Sequence, residues 1–240
     1  MTTYGLLIFD DAEELDFAGP WEVFTTSAML RNRAANSGAA NSGAANSGAA
    51  NSGAANSGAA NSGAANSGAA NSAADAVVLI AERSAPVRCA KGMRVLPDCT
   101  LDDHPPLDVL LVPGGQGTRR EVANAVLTGW IRATAATAAW TTSVCTGALL
   151  LHEAGPARGR RVATHWSFEE ALQQRGDVTV VGDARYVVDG KLVTSQGVSA
   201  GIDTALWLVG AMHGRDHARA VRRHIQYEPA PPYLADEFAA

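Results

Sequence analysis

Short apolar runs alternate along the chain with longer stretches whose apolar residues recur at helical spacing. The runs predict strands at Tyr4–Phe9, Ala76–Ala81, Asp108–Val112, Trp140–Val144, Val178–Val181, Tyr186–Asp189 and Leu192–Thr194. The longer stretches predict helices at Pro20–Leu30, Arg119–Ala138, Thr146–Ala154, Ala200–His213 and Asp216–Tyr227. Because strands that alternate with helices form a largely parallel sheet, the pattern predicts an α/β domain.

A pentapeptide repeat interrupts this pattern between the first helix and the second strand. Residues Ala34–Ser72 read AANS followed by seven copies of GAANS. A period of five fits neither a helix nor a strand, and each unit offers only alanine to a core. We therefore predict a single domain over residues 1–240, with 34–72 inserted as a flexible loop. A partner-binding or aggregation segment is the functional alternative. The remaining residues, roughly 200, are enough for one well-buried core.

Composition and charge narrow the classes of partner. The chain has 24 acidic and 19 basic residues, a net charge of −5, and no run of lysine or arginine. This balance argues against a surface for nucleic acid or anionic membranes. No apolar stretch approaches the roughly 18 residues that span a bilayer. The N-terminus lacks the basic region of a signal peptide, so we expect a cytoplasmic protein with reduced cysteines.

Three loops follow the carboxyl ends of predicted strands. Parallel sheets carry their binding and catalytic sites at this edge. The loops are Asp10–Asp16, Pro113–Gly117 and Ser143–Gly147.

Cys145 is the candidate nucleophile because it stands where a strand turns into a helix. Backbone N–H groups and the helix dipole at such a turn stabilise a thiolate, which predicts a lowered thiol pKa. Thr146 supplies a hydroxyl, and Gly147 allows close approach. The alternative is a small core residue. Cys89 and Cys99 lie in polar stretches and are interpreted as structural or incidental. The chain has no CxxC motif or Cys/His spacing, which argues against zinc.

A nucleophile needs a partner that takes its proton. The acidic loop offers Asp10, Asp11, Glu13, Glu14 and Asp16. None stands out strongly, although Asp16 lies between two apolar residues, and burial there would raise its pKa and suit acid–base work. The amides of Gly114 and Gly115 could donate to a developing negative charge, or the pair could simply form a tight turn. Among the histidines, only His165 is considered for the site, and a structural role is favoured for it.

Several segments together resemble the DJ-1/PfpI superfamily, and within it the branch that contains isonitrile hydratases. They are LDFAGPWEVF, DVLLVPGGQGT, TTSVCTGALLL, GRRVATHW, SAGIDTALWL and YEPAPPY. The resemblance covers the chain from Tyr4 to Tyr233 apart from the repeat. The SVCTG block with GRRxxTHW downstream is fairly specific to that branch. It is shared with the amidase-like sensor domains of some AraC-type regulators.

The resemblance implies a flavodoxin-like three-layer sandwich, a homodimer and a small-molecule substrate, with no metal or organic cofactor. It implies that Cys145 is the nucleophile and Asp16 its acidic partner. It also puts Thr146 beside the nucleophile and Gly115 in the loop that faces it. We expect Gly114, Gly115 and Gly147 to form the substrate- and oxyanion-binding backbone.

These residues lead to the hypothesis that the protein hydrates isonitriles to N-substituted formamides through a cysteine thioimidate. Protease-like members of the superfamily often carry histidine directly after the cysteine. Thr146 occupies that position here, which weighs against peptide hydrolysis. The alternatives are a non-catalytic ligand sensor related to AraC-type regulators, without direct DNA binding, and a thiol stress protein of glyoxalase or amidase type.

Overall fold

The computed structural model describes residues 1–42 and 74–229, with side chains for 1–34 and 74–229. Its strands are, in chain order, β1 (Thr3–Leu7), β2 (Ala76–Ala81), β3 (Val87–Arg88), β4 (Arg94–Val95), β5 (Cys99–Thr100), β6 (Val109–Val112), β7 (Trp140–Val144), β8 (Arg161–Val162), β9 (Thr179–Val180), β10 (Tyr186–Asp189) and β11 (Leu192–Ser195).

The central sheet has the order β10-β11-β7-β6-β1-β2-β5. Every neighbouring pair in it is parallel except the β10–β11 hairpin at one edge. This confirms the predicted mostly parallel α/β fold. Two small sheets stand apart: β3 pairs with β4, and β8 pairs with β9.

The helices fall into two groups, one containing α1, α6 and α7 and the other α2, α3 and α4. The helices are α1 (Glu14–Ser42), α2 (Thr118–Glu121), α3 (Ala125–Thr137), α4 (Gly147–Ala154), α5 (Glu169–Gln173), α6 (Ala200–His213) and α7 (Arg215–His224), with a 3-10 turn at Trp166–Phe168. Helices pack together within each group. This gives three layers, with the sheet in the middle. In the described part of the chain, no helix has the length and apolar character that a membrane crossing requires.

The core lies on both faces of the central strands. All five residues of β1 and all four of β6 are buried. A strand buried on both faces reads as a continuous apolar run, which is why the sequence pattern located these two strands. On the α1 side, the Tyr4 ring stacks on Phe24 with 4.4 Å between centroids.

Helix α1 differs from its prediction at both ends. It begins at Glu14 rather than Pro20, so Asp16 lies in its first turn and Pro20 lies inside the helix. Acidic residues in a first turn interact favourably with the helix dipole, which supports the early start. At the other end the helix continues to Ser42, into the repeat. Alanine-rich sequence can extend an existing helix without a new nucleation step. The rest of the predicted loop lies outside the described residues.

Three further predictions need correction. The predicted helix Arg119–Ala138 is broken into α2 and α3 at Asn124, whose side chain accepts hydrogen bonds from Val126 N–H and Leu127 N–H and caps α3. The predicted strand Val178–Val181 is shortened to β9 and pairs with β8 outside the central sheet. Helix α7 ends at His224 rather than Tyr227.

Candidate active site

Cys145 occupies a sharp turn between β7 and α4. Its φ is +58°, a left-handed conformation that is uncommon for a residue with a side chain. Its N–H donates to the carbonyls of Ser195 (3.1 Å) and Gln196 (3.2 Å), at the end of β11. Its carbonyl accepts from the Thr164 hydroxyl at 2.9 Å. The surrounding backbone therefore holds this unusual conformation in place, as expected at a functional position.

Glycines allow the loop after β6 to press against this turn. A Cβ on Gly147 would clash with the Val112 carbonyl oxygen, so only glycine lets α4 start this close to the end of β6. A Cβ on Gly114 would lie 2.8 Å from the Cβ of Cys145. Gly115 has a φ of +112°, which favours glycine, and a side chain there would meet the backbone around Ala12. Gly114 and Gly147 thus let this loop approach the Cys145 turn, and Gly115 lets it approach the acidic loop.

Asp16 meets Cys145 from the first turn of α1. The residue is fully buried, and its Oδ2 accepts the Gly114 N–H at 2.8 Å. The Cys145 thiol is near enough to this carboxyl to lower its pKa. Oδ1 has no hydrogen-bond partner among the described residues. The pKa of Asp16 is raised to about 8, chiefly by burial. The Gly114 hydrogen bond lowers this pKa, and the negative charge of Glu13 raises it.

Cys145 is only 6% exposed, and burial together with the negative charge of Asp16 raises the pKa of its thiol to about 12. Hydrogen bonds from the Thr146 N–H and hydroxyl and from the Gly115 N–H act in the opposite direction. The predicted lowering of this pKa is therefore wrong. The helix dipole and the hydrogen-bond donors lower the thiol pKa, but only slightly. Burial of the thiolate away from water and next to a carboxylate raises it by more. Consequently the thiol needs a base that takes its proton as it reacts.

The Thr146 hydroxyl is the centre of a polar network on the other side of Cys145. Its Oγ1 accepts from the Gly115 N–H at 3.1 Å and lies 3.2 Å from both the Gly115 carbonyl and the Thr118 hydroxyl. Arg119 Nη1 donates to the Gly115 carbonyl at 3.0 Å, and its guanidinium stacks on the Phe168 ring. Sequence reasoning missed Thr118 and Arg119, since nothing in their spacing marks them as partners of a residue almost thirty positions away.

The other carboxylates of the acidic loop hold neighbouring segments rather than Cys145. Asp10 accepts the Arg88 N–H at 2.8 Å, and Asp11 pairs with Arg120 at 3.0 Å. Glu13 pairs with the Lys91 ammonium, and Glu14 Oε1 accepts the Lys91 N–H at 2.7 Å. Of the five candidate acids, the structure places only Asp16 against Cys145.

His165 directly follows Thr164, the residue whose hydroxyl donates to the Cys145 carbonyl. Its Nδ1 is hydrogen-bonded to the Ser167 hydroxyl at 2.8 Å, and its ring packs on Gly197. Within the described residues it has no hydrogen bond to Cys145 or Asp16. Cys89 and Cys99 are free cysteines outside the site, and burial raises the pKa of Cys89 to about 11. The described residues include no group of three or more His, Cys, Asp or Glu side chains suited to a metal ion.

Comparison with known proteins shows the family to which the chain belongs. The sequence profile of the DJ-1/PfpI family matches residues 65–211, more than half of the chain. The chain belongs to the DJ-1/PfpI family. A second profile, of pentapeptide repeats in eight copies, matches residues 35–73.

Two kinds of relative are similar in sequence to this DJ-1/PfpI chain. An isonitrile hydratase of Pseudomonas putida is 40% identical over 157 residues, which cover 65% of this chain and 68% of the hydratase. The HTH-type transcriptional regulator GbdR of Pseudomonas aeruginosa is 30% identical over 142 residues, 59% of this chain but only 38% of the regulator. The similarity therefore includes an enzyme and part of a regulator.

Solved DJ-1/PfpI structures share the fold. A THiJ/PfpI family protein from Pseudomonas syringae superposes with a TM-score of 0.74 over 98% of this chain and 79% of its own, at 24% identity. Drosophila melanogaster DJ-1beta superposes with a TM-score of 0.68 at 17% identity, over 95% of this chain and 99% of its own. These likenesses confirm the three-layer DJ-1/PfpI architecture.

Proposed function

We propose that the protein is an enzyme that adds water to an isonitrile and releases the N-substituted formamide, with Cys145 as nucleophile and Asp16 as acid and base. The buried thiol–carboxyl pair is the observation that carries the proposal. Isonitrile hydration requires one nucleophile and one group that moves protons, and the pair supplies both. The 40% identity with the isonitrile hydratase of Pseudomonas putida supports the same reaction.

The first step forms a thioimidate. The Cys145 sulfur attacks the terminal carbon of R–N≡C while the Asp16 carboxylate takes the thiol proton. Asp16 then delivers that proton to the same carbon, giving Cys–S–CH=N–R. Thiol and isonitrile thus combine without any other reactant. Burial raises the pKa of Asp16 to about 8, so both its carboxylate and its acid form are populated near neutral pH. The residue can therefore take the thiol proton and then release it to the substrate.

The second step releases the product. Asp16 removes a proton from water as the oxygen attacks the thioimidate carbon, and it passes this proton to the nitrogen. The C–S bond then breaks and the carbonyl forms, while the proton of the added hydroxyl moves through Asp16 to the sulfur, leaving R–NH–CHO and the free thiol. The N–H groups of Gly115 and Thr146 and the Thr146 hydroxyl act on the sulfur and favour its charged form, because they lower the pKa of the thiol. They can stabilise negative charge on it as it leaves.

Formamide production from a simple isonitrile, such as cyclohexyl isocyanide, tests the proposal. We expect turnover by the wild type, none by Cys145→Ala and little by Asp16→Asn. Cys99→Ala is the matched control, because it removes a free cysteine outside the site and should keep full activity. Full activity of Cys145→Ala, or a folded wild type without turnover, would contradict the proposal.

A ligand sensor is the second candidate, favoured by the match to GbdR. In that case the site binds its ligand without reacting, and the Cys145 thiol stays protonated, in keeping with its raised pKa. Calorimetric binding of an isonitrile with no formamide formed would select the sensor. The same raised pKa weakens the case for a peroxide-sensing thiol, which needs an accessible thiolate.

We further propose that the chain works as a homodimer in the cytoplasm on a small-molecule substrate. Light scattering on the purified protein tests the dimer.

A further inference from the structure

A cavity of about 410 Å³ opens at the end of the sheet opposite Cys145. Thr141 and Leu192, which are paired at the start of β7 and β11, lie at its base. Cys145 follows the far end of β7. The C-terminal ends of α3 and α4 form the sides. The cavity is therefore separate from the candidate active site and is made by different segments.

Four cations line this cavity, which is unusual in a chain with a net charge of −5. They are Arg132, Arg158, Arg160 and Lys191. Asp189 is the single acid among the lining residues, and its Oδ1 lies 3.2 Å from Arg160 Nη1. Its Oδ2 accepts the Arg161 N–H at 2.9 Å, and these contacts hold the pKa of Asp189 below its usual value. Asp189 therefore stays ionised and offsets one of the four positive charges.

Three of the cations also contact the ends of helices. Lys191 Nζ donates to the Ala135 carbonyl at 2.7 Å, at the end of α3. Arg132 Nε donates to the Ala154 carbonyl at 2.8 Å, and Arg158 Nε donates to the His152 carbonyl at 3.0 Å, both at the end of α4. Each helix end carries about half a negative charge. Four cations, one carboxylate and two helix ends leave a local charge of roughly +2.

The guanidinium groups keep donors available after these contacts. Arg132 uses Nε for the helix end and makes no hydrogen bond through its terminal nitrogens within the described residues, and Arg160 uses Nη1 for Asp189. A planar guanidinium with free N–H groups suits phosphate or carboxylate oxygens. Between the cations, the wall is apolar and consists of Ala135, Ala136, Ala154, Pro156 and Leu192.

We propose that this cavity binds a small organic dianion that carries its charge on a short apolar body. Phosphate monoesters and dicarboxylates share this chemistry. The charge of roughly +2 selects a dianion over a monoanion, and the apolar wall selects an organic body over a bare inorganic ion. The site is distinct from the Cys145 site and does not depend on the reaction there.

Titration calorimetry with phenyl phosphate, at low ionic strength and a pH above its second ionisation, tests the proposal. We expect saturable binding that weakens with salt, weaker binding of the monoanion benzoate, and weaker binding of inorganic phosphate. Arg160→Gln should weaken the binding of phenyl phosphate about tenfold, the effect of losing one charge-assisted contact. Arg160 makes none of the helix-end contacts described above, so this variant should fold normally. Arg132→Gln provides a second test from the other side of the cavity.

Two controls separate this site from other causes. Arg223→Gln removes an exposed arginine on α7, away from the cavity, and should bind phenyl phosphate as the wild type does. Cys145→Ala should also bind normally, whether or not the proposed hydration is correct. Absence of saturable binding, or equal binding by Arg160→Gln and Arg223→Gln, would overturn the proposal and leave the four cations with only the contacts to the protein described above.

Discussion

Replacing Asp16 with asparagine should make the protein more resistant to alkaline conditions while removing its activity. Asp16 is fully buried, and one of its oxygens has no hydrogen-bond partner among the described residues. Ionisation of this carboxyl is therefore unfavourable in the folded state. Asparagine has nearly the same shape, and its oxygen can still accept the Gly114 N–H, but it cannot ionise or move a proton.

The magnitude follows from linkage between protonation and folding. The pKa of Asp16 is 3.8 in an unfolded chain and about 8 in the fold, so the folded state binds the proton more tightly. The stabilisation from this proton is complete below pH ~4 and is lost as the pH rises through about 8. Over most of that interval the group lowers the free energy of unfolding by about 1.4 kcal/mol per pH unit. Between pH 5 and pH 8 this amounts to roughly 4 kcal/mol.

Urea denaturation of the wild type and of Asp16→Asn across this pH range measures the effect. The wild type should lose about 4 kcal/mol more than the variant between pH 5 and pH 8. The new amide N–H groups can leave a buried donor unpaired, a cost of about 1–3 kcal/mol, but that cost does not change with pH. Parallel curves for the two proteins would refute the reasoning, because they would mean that Asp16 titrates normally in the fold.

Three further predictions concern the site and the repeat. The kcat/KM for isonitrile hydration should rise with pH and level off above about 8, because Asp16 must be ionised to take the thiol proton; a profile that falls over this range would contradict its role as base. Thr118→Val removes a buried hydroxyl from the Thr146 network and should lower kcat about tenfold, with Thr118→Ser restoring most of it; an unchanged kcat would exclude a positioning role. Deletion of Gly38–Ser72, which includes the last five residues of α1, should change the free energy of unfolding by less than about 1 kcal/mol, since loop-closure cost varies slowly with length and the Arg31–Asp75 pair already joins the flanking segments; a large loss would show that the repeat packs on the domain.

Much of the fold could be predicted because the central strands are buried on both faces. β1, β6 and β7 appear in the sequence as apolar or β-branched runs for that reason. The two-residue strands β3, β4 and β8 are too short to produce such a run. β3 and β4 pair with each other in a local hairpin, and β8 pairs with β9 outside the central sheet. The early start of α1 was also hidden, since an acidic stretch reads as a loop until the helix dipole is taken into account.

The candidate site, like the fold, could be predicted from the sequence only in part. The position of Cys145 after a strand and the adjacent glycines could be read from the sequence. The choice of Asp16 among five acids came from resemblance to a family, and the structure gives it a physical basis in burial and contact with the thiol. The direction of the Cys145 pKa could not be predicted from local sequence, because it depends on burial and on a carboxylate far away in the chain.

The covalent intermediate tests the central claim most directly. Wild-type protein mixed with cyclohexyl isocyanide, quenched with acid within a single turnover and analysed by mass spectrometry, should carry the added mass of one isonitrile on the peptide that contains Cys145. The adduct should disappear as formamide accumulates, and Cys145→Ala should form neither. Formamide production without any adduct on Cys145, or an adduct that never yields formamide, would contradict the mechanism.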